Sequence, residues 1–310
     1  MASERDVAAA PDATADAPIG LDEVETYLRC PRQYQYEHRQ TIRTRTARDA
    51  IDRRTELYRT VLTSTLDRCD PDEATLRETA MACLQDRLEA TTAEAGGATG
   101  HHRRYDEASI RNAVANYVAE YGQAHAEGAI AIDETYTYAA DGHAFACPVD
   151  CFRTDGERYE IARFVTTLDG VVWENPYSDP VAQYRDCEAF YPRQVGSVLR
   201  AYATIHAVAA AHGIDAHNVV YRYYAIAQET YPDYGNDGSG PEVVSDRRDA
   251  TDACWEADDA CDDVLAEAAR RIVDGDWNPG DRWDEVVARS CRNCKYQSMC
   301  LDHLNREVQF

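Results

Sequence analysis

The run Cys291-Arg292-Asn293-Cys294-Lys295-Tyr296-Gln297-Ser298-Met299-Cys300 holds a Cys-x-x-Cys pair and a third cysteine in one short stretch. A loop of this length can wrap a metal centre, but three thiolates complete neither a tetrahedral zinc site nor a four-cysteine iron–sulfur ligation. A fourth ligand is needed. The cysteines elsewhere fall in predicted helices, strands or their flanks, except Cys30. Pro31 disfavours helix at the residue before it, so a short helix over residues 20–29 ends near Cys30 and the thiol can project. The pattern predicts one centre held by Cys30, Cys291, Cys294 and Cys300, tying the two ends of the chain together. Two plainer readings stand beside it: a local zinc knuckle with His303 as fourth ligand and Cys30 an ordinary buried thiol, or an accidental group of free thiols.

Working inward from the cysteines, a Trp/Pro/Gly-rich linker at 277–283 follows an acidic amphipathic helix predicted over 250–273. Before it come a short edge strand at Val243-Val244, a loop at 231–241 and a strand from Val219 to Ala227. A long helix is predicted from about Asp186 to His212, stopped by Gly213. Ala129–Tyr138, His143–Arg153 and Tyr159–Thr166 read as three strands; Asp141-Gly142 and Asp155-Gly156 between them predict an antiparallel meander. Residues 44–93 and 105–126 carry helical periodicity, joined by a loop-like stretch from Gly96-Gly97 to Gly100-His101-His102. The expected organisation is a disordered acidic tail at 1–19 and an α/β domain over 20–310. That domain comprises a helical block at 44–128, a sheet core at 129–228 and the cysteine cluster at 288–303.

The formal net charge is −24, from 56 acidic against 32 basic residues, and Lys295 is the only lysine. The carboxylates are spread along the chain. This suits surface adaptation to molar salt, a halophilic proteome, better than a DNA mimic. In such salt the Debye length is only about 3 Å, so the charge does not exclude DNA, and phosphate contacts lose counterion-release energy. No stretch reaches the ~20 apolar residues of a membrane span, and the N-terminus has no signal-peptide pattern. The expectation is a cytoplasmic protein with no membrane partner, whose 11 cysteines serve as thiols and metal ligands.

Tyr27-Leu28-Arg29-Cys30-Pro31-Arg32-Gln33-Tyr34 together with Cys291-x-x-Cys294-x5-Cys300 resembles the iron–sulfur branch of the PD-(D/E)XK nuclease superfamily. That branch includes RecB-like nuclease domains and CRISPR-associated adaptation nucleases. The resemblance covers about 20–310, least well over 44–128. It implies a restriction-endonuclease-like core, a mixed sheet flanked by helices, and a [4Fe–4S] cluster on the four cysteines, with Zn²⁺ the alternative. It aligns Cys147-Pro148-Val149-Asp150 with the strand bearing a metal-binding Asp, Ile161-Ala162-Arg163-Phe164-Val165-Thr166 with the next motif strand, and Gln194 and Tyr202 with the following helix. Glu134 falls on the strand before Asp150, where an acidic residue is usual.

The chemistry departs from the family pattern. Arg163 stands at the second carboxylate and Val165 at the catalytic lysine, while Tyr58 is nearest the family's histidine. Hydrolysis in such a fold needs Mg²⁺ or Mn²⁺ on carboxylates, and a guanidinium offers a metal no lone pair. Positions 163 and 165 share a strand face and Glu160 falls on the other, so Glu160 cannot stand in. Lys295 is expected to lie too far away; Arg153, Arg193 or Arg200 could supply charge but not a titratable amine. Three functions follow. The first is a catalytically impaired module that binds DNA, with Arg163 making the old metal site phosphate-friendly, or that serves as a structural partner of a helicase or a recombination or repair protein. The second is an active nuclease in which Glu134, Asp186 and Glu188 join Asp150 around one ion. The third is a redox or structural iron–sulfur module.

Overall fold

The computed structural model describes residues 17–42, 47–68, 72–94, 100–173, 179–231 and 241–307. Most of the expected tail lies outside them, but Ile19–Gly20 forms a short strand, β1. Helices α1 (Leu21–Arg29) and α2 (Pro31–Tyr34) follow, then a π-helical turn at Gln35–Arg39. The helical block is α3 (Ala47–Arg68), α4 (Glu73–Glu94), α5 (Gly100–Tyr117) and α6 (Gln123–Glu127). Gly100-His101-His102 is therefore the first turn of α5, not a loop; N–H groups there need no intrahelical partner, so glycine is tolerated.

Strands β2 (Ala129–Ala140), β3 (His143–Thr154) and β4 (Tyr159–Val165) form the antiparallel meander. Asp141 and Gly142 both have positive φ, 46° and 78°, the backbone that a two-residue hairpin demands and that Asp-Gly tolerates. Next come α7 (Pro180–Arg185) and α8 (Pro192–His212). The helix expected from Asp186 begins only at Pro192, whose missing N–H suits a first helical position; Asp186–Tyr191 is a turn. Helix α8 crosses over to β5 (Val219–Tyr231), which lies parallel to β4, as a parallel pair requires. Strand β5 runs past Ala227, and the edge at Val243-Val244 is a full strand, β6 (Glu242–Asp249), antiparallel to it. The expected loop between them falls mostly outside the described residues. The acidic helix is two, α9 (Thr251–Glu256) and α10 (Asp258–Asp274), parted at Ala257; α11 (Trp283–Arg289) and α12 (Leu301–Glu307) flank the cysteine loop.

The sheet order is β1-β3-β4-β5-β6, with β2 on the other edge of β3. It is a mixed α/β architecture with helices on both faces. On one face Val195, Val198, Leu199 and Ile205 of α8 pack with Phe145, Phe152, Ile161 and Tyr221. On the other, Tyr58 and Leu62 of α3 and Val114 and Tyr117 of α5 pack with Ala162, Phe164 and Tyr224. No described helix is long and apolar enough to cross a membrane.

Candidate functional site

Cys30 is the one residue between α1 and α2, in extended backbone with φ −167°. Its N–H bonds Thr26 O and its carbonyl accepts from Tyr34 N, both at 3.1 Å. At the other end of the chain, Cys294 N bonds Cys291 O and Cys300 N bonds Tyr296 O, each at 3.0 Å, folding the loop into two tight turns. The structure brings Cys30, Cys291, Cys294 and Cys300 to one cavity, which His303, Gln33, Tyr36, Trp283 and Tyr296 also line. Residues 27–42 are pinned to the C-terminal segment around it. Arg32 pairs with Asp302, Lys295 Nζ lies 3.2 Å from Glu37 Oε1, Tyr296 OH donates to Ile42 O at 2.8 Å, and Tyr34 stacks on Trp277.

The four side chains that meet here are of a type that ligates metals, thiols. All ten cysteines among the described residues are free thiols. Burial pushes the Cys30 thiol up to about 12, with Cys294 and Cys291 adding to the rise; burial pushes Cys294 up as well. A metal bound there would have to displace the protons of these thiols, so its binding would release protons. His303 faces Gln297, Nε2 to Nε2 at 3.0 Å. Among the described residues no group of three or more His, Cys, Asp or Glu side chains is arranged so that it could hold a metal ion as it stands. The cavity leaves about 10 Å³, one water's room, so seating a polynuclear centre requires the loop to spread.

The outer side of the same loop walls a larger cleft of about 750 Å³ between α1, α3, the start of α8 and residues 289–295. Arg29, Arg59, Arg193, Arg289 and Lys295 line it, against Asp22, Glu25, Glu37, Asp52 and Glu56. The lone lysine lines the cleft, paired with Glu37, and is not among the partners of Asp150. Gln194 lines the cleft too. Gly196 lets α1 approach α8: a Cβ there would stand 2.6 Å from Glu25 Cγ. The close approach allows Arg200 to bond Asp22 at 2.6 Å, and Arg200 in turn pulls the Asp22 carboxyl below the usual range.

Asp150 is 4% exposed. Arg163 Nη1 donates to one carboxylate oxygen at 2.8 Å and Phe164 N to the other at 2.6 Å. Arg59 Nε lies 3.5 Å from the second oxygen while donating to Phe164 O at 3.0 Å. Asp150 is neither a solvated strand end nor a turn cap. Arg163, itself 3% exposed, faces this carboxylate, so the phosphate-friendly surface expected of it is corrected: an interior guanidinium already paired has no face to offer. Val165 packs against the core. Arg59, one residue after Tyr58, links Asp150 to the cleft. Sequence reading missed it, since nothing local says that α3 docks on this sheet end.

Other expected residues lie elsewhere. Glu134, on edge strand β2, is exposed and accepts from Tyr136 OH at 3.0 Å. Asp186 is exposed and paired with Arg185 at 2.9 Å, and Glu188 is exposed. Both are exposed, whereas Asp150 is buried with Arg163, Phe164 N and Arg59 around its oxygens, so they do not join it. Tyr202 packs on Tyr138 and His206, away from Gln194. Glu160 is buried on the opposite face, bonded by Arg222 at 2.7 Å, Arg153 at 3.0 Å and Tyr224 OH at 2.5 Å, with His125 3.6 Å away. Burial opposes its charge, but His125, Tyr224 and Arg153 together hold it well below the usual carboxylate range.

Compared with known proteins, the chain matches no family model and no curated protein.

Proposed function

We propose that this chain is a metal-clamped DNA-binding module on a PD-(D/E)XK-like core, with its hydrolytic site converted into a structural ion pair. The observation that carries the loss of hydrolysis is Asp150: both oxygens are engaged at hydrogen-bond distance by Arg163 and Phe164 N, where hydrolysis would need a cation. The order of three antiparallel strands, a crossover helix and a parallel fourth strand supports the core that the resemblance implies. The four cysteines at one cavity support a shared centre, a [4Fe–4S] cluster, with zinc as the alternative; bound there, it would supply a crosslink between the termini.

The test is a pair of assays in high-salt buffer. DNA binding should be measurable by anisotropy, while DNA ends incubated with Mg²⁺ or Mn²⁺ stay intact. Metal-dependent cleavage that disappears in Asp150→Ala would establish an active nuclease instead, and absence of DNA binding at any salt would leave the redox or structural reading.

A further inference from the structure

The cleft is an unusual place for a polyanion, because its five guanidinium and ammonium groups face five carboxylates. Several cations are already committed: Arg29 to Glu25 at 2.7 Å, Lys295 to Glu37 at 3.2 Å, Arg193 to Asp169 at 2.8 Å. Phosphate attraction is therefore small, and molar salt would screen it within about 3 Å. What the cleft does present is aromatic surface. Trp173 is 46% exposed at its rim. Tyr191 holds it edge-to-face, centroids 5.4 Å apart, and Arg289 lies over the Tyr191 ring at 4.7 Å. Gly170, at φ +88°, leaves room for the Arg193 side chain to lie across its turn, beside this group. An indole fixed from one side keeps surface for a planar partner, and stacking, unlike a phosphate contact, does not depend on counterion release. A cleft of about 750 Å³ has the size of a small-ligand pocket, room for a nucleotide or two.

Building on the DNA-binding reading, we propose that Trp173 is a stacking platform for an unpaired nucleobase, so that the cleft takes a single strand or a strand end. Tyr191 positions the indole and Arg289 braces Tyr191. The discriminating probes are a labelled oligothymidylate and an abasic strand of equal length and equal phosphate count, titrated by fluorescence anisotropy in high salt. The intact protein should bind oligothymidylate more tightly. Base–aromatic stacking contributes ~1–3 kcal/mol per base, so Trp173→Ala should weaken oligothymidylate about 5- to 150-fold. It should leave the abasic strand unchanged, and Trp173→Phe should recover most of the loss. Equal affinity for the two strands, or a Trp173→Ala loss that is the same for both, would overturn the platform while leaving DNA binding intact. Failure of the intact protein to bind either strand would remove the DNA-binding reading and the platform with it.

Discussion

Replacing Arg163 by alanine strands a carboxylate in the interior. Asp150 is 4% exposed and would lose its 2.8 Å bond, keeping the Phe164 N–H at 2.6 Å and a looser partner in Arg59 at 3.5 Å. Removing one member of a buried ion pair costs ~3–5 kcal/mol; with Arg59 still near, the low end, about 3 kcal/mol, applies. Unfolding entropy of ~2.1 cal/mol/K per residue over 310 residues is about 0.65 kcal/mol/K, so the melting temperature should fall by about 5 °C. The assay is calorimetry on the wild type, Arg163→Ala, Asp150→Asn and the double variant. If the pair is what holds this end of the sheet, the double variant should be more stable than the sum of the single losses predicts. Strictly additive losses, or an Arg163→Ala shift within about 1 °C, would show that Asp150 and Arg163 do not depend on each other and would refute the converted-site reasoning.

Other expectations concern pH, metal and packing. Burial lowers the His125 pKa below 6.5, so its contribution is full above about 6.5 and declines as pH falls through the lowered value. Glu160, held below its ordinary 4.5, adds a further loss under pH ~4.5; melting temperature against pH should fall in both windows, and a rise on acidification would contradict this. Restoring a carboxylate with Arg163→Glu should make thermal stability respond to Mg²⁺ at fixed ionic strength, whereas the wild type should show no such response. Gly196→Ala puts a Cβ 2.6 Å from Glu25 Cγ and should destabilise by about 1–3 kcal/mol, read as a lower denaturation midpoint; an unchanged midpoint would show that α1 yields freely.

The meander was legible because Asp141-Gly142 supplies the positive φ that its hairpin needs and the flanking strands are continuous β-formers. That Cys30 and the late cysteines line one cavity was legible from a thiol at a proline-marked helix end and a C-terminal group of three. Residues 186–191 were misread as helix, since their composition carries no strong breaker; the decisive signal was Pro192 at a helix start. The cleft was not legible. Arg59, Trp173 and Lys295 come from α3, the segment after β4 and the cysteine loop, and their meeting is set by docking of elements, which local periodicity does not encode. Arg163 was identified as the altered position, but only burial showed that its charge points inward.

The most direct measurement is metal analysis with visible spectroscopy on anaerobically purified protein, wild type beside Cys30→Ser. The wild type should hold about four irons per chain, as a four-thiolate [4Fe–4S] centre does, with visible charge-transfer absorbance, and should lose the metal together with solubility when Cys30 is changed. A fully metallated, soluble Cys30→Ser protein, or a wild type that binds neither iron nor zinc, would contradict the shared centre.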